Sequence, residues 1–300
     1  LNCVANGVLL RENIFQKIWI QPAAGDAGGA LGAALAVWYM HHGKARVVSS
    51  KRDSMSGSFL GPEYGEDQIE EDLVSLGAKF HKLPVESLID TVASALVEQK
   101  AIGWMQGRME FGPRALGGRS IIADPRSPLM QKKLNLKVKY RESFRPFAPS
   151  VLSDDAVKWF ELEVDSPYML LVANVQPAQC KEVSQADSDL LGIDKLNVPR
   201  SEVPAVTHVD FSSRVQTIHR DTNPMYYDLV KKFKEKSGCP IVINTSFNVR
   251  GEPIVCTPKD AFGCFMGTEL DILVVGNFLL IKEDQQESLK KSYKDRYELD

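Results

Sequence analysis

Three hundred residues, 44% of them hydrophobic and 25% charged, describe an ordinary folded chain with room for about two domains and a sizeable core. A formal charge of −3 gives no global attraction to nucleic acid or to an anionic membrane. Five cysteines (Cys3, Cys180, Cys239, Cys256, Cys264) without a CxxC argue against a disulfide framework or structural zinc.

The chain opens at Leu1 rather than Met and runs straight into motif-like sequence, which reads as a piece of something longer. Residues 14–20 (IFQKIWI) have the apolar and β-branched content of a strand stopped by Pro22. Residues 27–42 predict a helix of small residues. Its uncharged part, 27–40, falls short of the roughly 20 residues a bilayer needs. With no basic leader ahead of an apolar run, the expectation is a cytoplasmic protein without a membrane partner. Asp26 lies between that strand and helix, in GDAGGALGAA. It suits an N-cap, or a metal or phosphate site at a helix start, and helix physics favours the cap. Residues 44–67, rich in Ser, Gly and charge, predict a linker that divides the chain into 1–62 and 63–300.

Helical spacing follows at 68–76 and 86–99, then a short strand at 101–105, a helix at 129–138 and a strand at 168–175. Residues 176–204 are polar, hold three prolines and predict a long surface loop of the kind that forms lids. Residues 203–209 and 214–218 are strand-like, 223–237 predict a helix ending at Gly238, and 239–243 (CPIVI) a buried strand. Thr257-Pro258 with Asp260 is a strong helix start. Residues 271–276 and 278–282 predict a hairpin around Gly276-Asn277, and the tail from Glu283 is mostly charged. Strands alternating with helices give α/β class.

Charge is concentrated in the middle. From Arg108 through Arg145 there are ten Lys/Arg against three Asp/Glu, a local +7 that leaves −10 for the remainder. Apolar residues such as Phe111, Leu116, Ile121 and Phe147 are interleaved, so the segment must be partly buried. Unpaired buried cations cost several kcal/mol each, on the order of an ion's desolvation, so other acidic segments or a bound anion must supply the balance, and the glycines favour the anion. Gly107, Gly112, Gly117 and Gly118 let backbone N–H groups face that anion closely. Arg108, Arg114 and Arg119 offer forks for phosphate oxygens. Neither a Walker A loop nor a dinucleotide fingerprint is present, so the generic reading is polyanion binding. Asn244-Thr245-Ser246-Phe247-Asn248 after the CPIVI strand reads equally as a ligand-orienting loop or as a self-capping turn. His208, Arg214 and Gln216 form another polar cluster on strand-like sequence.

QGRMEFGPRALGGRSIIADPR, KVKYRESFRPFAPSVL, THVDFSSRVQT and NTSFNVRGEPIVCTPKDA, in that order, resemble the ATP-dependent O-carbamoyltransferases of antibiotic and nodulation-factor biosynthesis. LNCVANGVLLRE with PAAGDAGGALGAAL is similar to the end of that family's first domain. The resemblance implies a YrdC-like twisted open sheet flanked by helices over 63–300, preceded in 1–62 by a fragment of an actin- or sugar-kinase-like carbamoyl-transfer domain and a linker. It implies formation of carbamoyl-adenylate from ATP (with Mg2+) and carbamoyl phosphate, for transfer to a hydroxylated acceptor such as a sugar or antibiotic. Arg114, Lys139, Arg145, Arg214, Asn244 and Ser246 carry over as catalytic. Gly107, Arg108, Gly112, Gly117, Arg119 and His208 are expected to bind substrate or nucleotide.

Asp26 carries over as a ligand for Fe2+ or another divalent metal in an intact transfer domain, alongside histidines four apart that this sequence lacks. Gly118 stands where the family usually has Asn, and Phe211 where Gly is common. The expected partners are the small-molecule substrates and the rest of the transfer domain in the same parent polypeptide. This chain is then a partial enzyme. Two other classes compete: a non-catalytic RNA- or polyanion-binding module related to tRNA threonylcarbamoylation proteins, and a sugar-kinase relative. The missing RRM-type aromatic pattern argues against nucleic acid.

Overall fold

The computed structural model describes residues 1–48, 53–290 and 293. Short apolar runs become strands: β1 (His81–Lys82), β2 (Ile102–Met105), β3 (Arg119–Ala123), β4 (Ala148–Leu152), β5 (Leu171–Asn174), β6 (Ser212–Ile218), β7 (Ile241–Ser246), β8 (Ile272–Val275) and β9 (Phe278–Ile281). Among the described residues they form one open mixed sheet in the order β1-β9-β8-β2-β3-β7-β4-β6-β5. β2 runs parallel to β8 and β4 parallel to β6, while the other neighbours are antiparallel. Every residue of β2, β3 and β4 is buried, as expected of central strands covered on both faces.

The helices are α1 (Cys3–Arg11), α2 (Asp26–Ala36), α3 (Glu66–Ser75), α4 (Val85–Val97), α5 (Met130–Lys137), α6 (Ala156–Trp159), α7 (Gln185–Ser188), α8 (Gly192–Leu196), α9 (Pro224–Ser237) and α10 (Pro258–Gly267). α4 buries Leu88, Ile89, Val92, Ala93, Ala95 and Leu96, the stripe that helical periodicity dictates, and packs on α9. Asn223 caps α9 through the Tyr226 N–H, and Gly238 ends it at φ 77°. Thr257 and Asp260 form a reciprocal capping box on α10. No helix among the described residues is long and apolar enough to cross a membrane.

The open sheet flanked by helices matches the α/β expectation, with local corrections. Residues 14–20 form no strand, because no ladder partner reaches them. Residues 203–209 hold a single 3-10 turn, Pro204–Val206. Residues 176–204 are broken by α7, α8 and a Cys180–Ser201 bridge. β3 emerges from the basic centre and β4 directly after it, where no strand was expected. Gly25 takes the N-cap position of α2 and Asp26 the first helical turn, so Asp26 makes no side-chain cap. Within the expected linker, residues 49–52 lie outside the described residues, as do 291–292 and 294–300 of the charged tail.

The N-terminal segment divides in behaviour. α1 docks on β5: Asn6 Nδ2 donates to the Leu170 carbonyl at 3.0 Å and an Arg11 guanidinium N–H to the Val172 carbonyl at 3.2 Å. α2 has no buried residue at all, and Phe15, Trp19, Val37, Trp38 and Met40 are exposed around it.

Candidate active site

β7 carries the polar run NTS out of a buried apolar strand, and the chain on either side of β4 and β3 brings cations to the same end. The result is a cavity of about 280 Å³ whose wall includes Arg114, Arg141, Arg145, Arg214, Asn244 and Ser246, with no carboxylate in its lining. A second cavity of about 330 Å³ shares Arg141, Arg145 and Ser246 and adds Lys139, Asn248, Arg250 and one carboxylate, Glu252. A third, of about 240 Å³, shares Arg214 and is closed by α1 through Cys3 and Arg11, with His208 and Asp210 opposite. The second lies at the lower edge of the roughly 300–1,000 Å³ of ordinary ligand sites, and the other two fall just below it. Joined through shared residues, the first two fall within that range.

The electrostatics mark the hollow as anion-seeking. The Nε atoms of Arg114 and Arg214 are buried without a hydrogen-bond partner. Burial, with the Arg114 charge next in effect, holds the Arg214 guanidinium below its usual range. Burial and then Arg145 push Arg141 down to about 10. Arg141 is steadied by Asn135 Oδ1 at 2.7 Å and by the Phe147 ring at 5.0 Å. Like charges crowded this way raise the affinity of whatever anion separates them.

Lys139 is 3% exposed and its Nζ donates toward Ser246 O (2.7 Å), Ser246 Oγ (3.2 Å), Asn248 O (2.8 Å) and Asn248 Oδ1 (2.7 Å). It clamps the loop after β7 to the loop after α5. Tyr140 beside it has φ 48°, a left-handed turn between Lys139 and Arg141. Burial and the Arg141 charge outweigh those oxygens and push the Lys139 ammonium down to about 7.

The structure thus brings Arg114, Arg145, Arg214, Asn244 and Ser246 to one cavity, with Lys139 next door. It places the others elsewhere. Arg119 is wholly buried and its guanidinium donates to the carbonyls of Gln106, Gly107, Gly118 and Pro62. Arg108 is exposed on Gly61 O and Glu63. The glycine-rich turn is filled from inside. Glu110 Oε1 accepts the N–H groups of Leu116 (2.6 Å) and Gly118 (2.7 Å), with that of Arg119 at 3.4 Å. A resident carboxylate therefore occupies the nest expected for an external anion, and burial raises its pKa.

Gly112, at φ 138°, faces the Pro22 carbonyl, and Gly107 sits at φ 51° outside the cavity lining. Gly117 has φ 106°, and an added Cβ would meet the Tyr226 ring at 2.4 Å. Gly117→Ala is accordingly expected to lower stability by roughly 3 kcal/mol, from backbone strain plus overpacking, read as a lower urea midpoint at unchanged slope. His208 lines the third cavity, where burial lowers its pKa. Asp26 is exposed, and no group of three or more His, Cys, Asp or Glu among the described residues could hold a metal. The residues present do not fit the metal site that the resemblance implies.

Sequence reasoning missed Arg141 and Asn248 as individual site residues. Both sit two positions from a residue that was singled out, Lys139 and Ser246, and in extended or tightly turned backbone such neighbours return to the same side. Among the described residues, a further cavity of about 560 Å³ lies apart from this cluster between α4, α5 and the β8–β9 edge. Most of its cations are already engaged: Lys133 with Asp271, Lys137 with Glu269, and Lys282 with the carbonyls of Phe265 and Thr268. We do not assign it the chemistry.

The sequence of the chain matches known families and relatives. The family model "Carbamoyltransferase C-terminus" matches residues 93–282, and "Carbamoyltransferase N-terminus" matches residues 1–35. The chain is similar to the Uncharacterized protein sll1178 of Synechocystis sp. (54% identity, 100% of this chain and 49% of that protein). It is similar to Nodulation protein NolO of Bradyrhizobium diazoefficiens (42%, covering 94% and 47%). It is also similar to 3'-hydroxymethylcephem-O-carbamoyltransferase of Amycolatopsis lactamdurans (30%, covering 92% and 46%). The chain spans about half the length of these curated relatives.

Proposed function

The chain belongs to the carbamoyltransferase family, and from that membership we propose that its cationic hollow forms carbamoyl-adenylate from ATP and carbamoyl phosphate. Carbamoyl phosphate first loses its phosphoryl group to water and yields carbamate. A carbamate oxygen then attacks the α-phosphorus of ATP, and the bond to pyrophosphate breaks. Negative charge accumulates on phosphoryl oxygens in both steps, so fixed cations are the main catalytic need. Arg114 and Arg214 would hold phosphoryl oxygens from the cavity floor, with Arg141 and Arg145 closing on them. Lys139 would keep Ser246 and Asn248 in register.

The observation that carries this reading is the group of four arginines around one cavity with no carboxylate in its lining, Arg145 being paired with Glu142 at 2.8 Å and two others having unpartnered buried Nε atoms. Pyrophosphate release from ATP that depends on carbamoyl phosphate is the test. Its absence in a chain that binds neither compound would remove the proposal.

The exposed apolar surface around α2 supports a second part of the proposal. In the working enzyme, further carbamoyl-transfer sequence covers it, as the length of the relatives suggests. That part would hold the metal and the hydroxylated acceptor, and the acceptor would receive the carbamoyl group from the adenylate.

Proton linkage offers an independent check. Free Lys139 titrates at about 7, so at pH 8 it is mostly neutral. An anion bound beside it stabilises the ammonium, and binding should take up close to one proton or somewhat less. Calorimetric titration with ATP in buffers of differing ionisation enthalpy should show that uptake, and Lys139→Met should abolish it. For folding the sign is also fixed. A pKa lowered from 10.5 in the unfolded chain means that the unfolded state binds more protons between about 7 and 10.5. The Lys139 contribution to stability therefore rises with pH across that window.

A further inference from the structure

Gln216 lies two residues beyond Arg214 on β6, on the same face of the strand, and is 3% exposed. Its Nε2 donates to the Leu116 carbonyl at 2.9 Å. That bond fixes which end of the carboxamide is which, so Oε1 must face Ser150 Oγ (2.5 Å) and Asn244 Nδ2 (2.8 Å). Asn244 in turn is fixed twice, because its Nδ2 also donates to the Ala115 carbonyl at 3.0 Å. With both amide protons committed, Asn244 Oδ1 is left buried without a donor, on a residue 1% exposed that lines the arginine cavity.

Phosphate oxygens only accept hydrogen bonds, and the arginines around them only donate. A carbonyl oxygen held in that company offers nothing to a phosphate, and a ligand N–H is a donor that would relieve its desolvation cost. We propose that Gln216 is a positioning residue that locks the Asn244 carboxamide, so that Oδ1 accepts from the NH2 of the carbamoyl group and selects carbamoyl over acyl donors. This rests on the cavity's proposed occupancy by carbamoyl phosphate and adds to it the source of donor specificity. A site that hydrogen-bonds a substrate N–H rejects the analogue lacking it, because its own polar atom is then left unpaired.

The experiment compares binding of carbamoyl phosphate and acetyl phosphate by calorimetry. The two have the same charge and differ by NH2 against CH3. The chain itself should prefer carbamoyl phosphate by about 10- to 100-fold. Gln216→Met should erase that preference by weakening carbamoyl phosphate alone, with acetyl phosphate affinity unchanged. General damage would weaken both. Gln216→Glu, which keeps the acceptor facing Asn244, should retain most of the preference, and it serves if the Met variant fails to fold. Ser150→Ala, which removes a donor to Gln216 but leaves Asn244 held, should behave as the parent chain. Equal binding of the two phosphates by the parent chain overturns this inference but leaves the cation cavity standing. No binding of either overturns both. A parallel loss of both ligands in Gln216→Met also overturns it.

Discussion

Arg114→Ala should reduce carbamoyl-phosphate-dependent pyrophosphate release by about 100- to 1,000-fold, the loss typical of one preorganised donor aimed at developing oxyanion charge. Arg114 is the only arginine of the GRMEFGPRALGGRS stretch that lines the cavity. Its Nε is buried and unpartnered, and its charge helps to depress Arg214. The other two arginines of the stretch supply built-in comparisons. Arg108→Ala removes an exposed pairing with Glu63 and should change the rate by less than about twofold, as surface ion pairs contribute little. Arg119→Ala strips donors from four backbone carbonyls and should appear as lost stability rather than a lost chemical step. Three arginines within fourteen residues thus have three distinct outcomes. An Arg114→Ala protein with an unaltered rate would falsify the assignment of the cavity.

Glu110→Ala should destabilise the fold by about 3–5 kcal/mol, because buried N–H groups at Leu116 and Gly118 lose their acceptor at about 1–3 kcal/mol each and Arg119 loses a nearby countercharge. At about 2–4 °C per kcal/mol for a chain of this class, the melting midpoint should fall by about 6–20 °C. Circular dichroism melting would measure it, and a drop under 2 °C or so would contradict the role given to the carboxylate. Glu110→Gln keeps an oxygen where Oε1 stands and should cost less. Catalysis should suffer beyond the stability loss, since the turn that Glu110 organises includes Ala115 and Leu116, whose carbonyls hold Asn244 and Gln216.

Legibility of the sequence tracked the range of the interactions involved. Helices with local stops and starts, such as α9 between Asn223 and Gly238 and α10 behind Thr257-Pro258, were readable because caps act within a few residues. β3 was not, because RSIIA follows glycines and arginines and becomes a strand only through its ladders to β2 and β7. Residues 14–20 had strand composition and no partner, which is the same lesson reversed. At the site, the excess of positive charge was legible as a demand for an anion. Which arginines meet that demand followed only from the family resemblance, which named Arg114, Arg145 and Arg214; composition and spacing do not separate Arg114 from Arg119, which differ in where the backbone between them turns. Glu110 was counted as one of three acids, and nothing local revealed that its carboxylate would fill the glycine nest itself.

The bare helix α2 has a practical consequence for handling the protein. A folded chain that displays Trp19, Trp38 and Met40 beside alanine-rich helix will take up fluorescent hydrophobic dyes before it melts. Dye-based thermal shift would start from a high baseline and misreport the variants above, whereas spectroscopic melting would not. Sulfate and similar salting-out ions should drive the chain to self-associate at concentrations that leave a well-covered protein monodisperse. Dilute protein in low-sulfate buffer is the appropriate condition for the binding titrations.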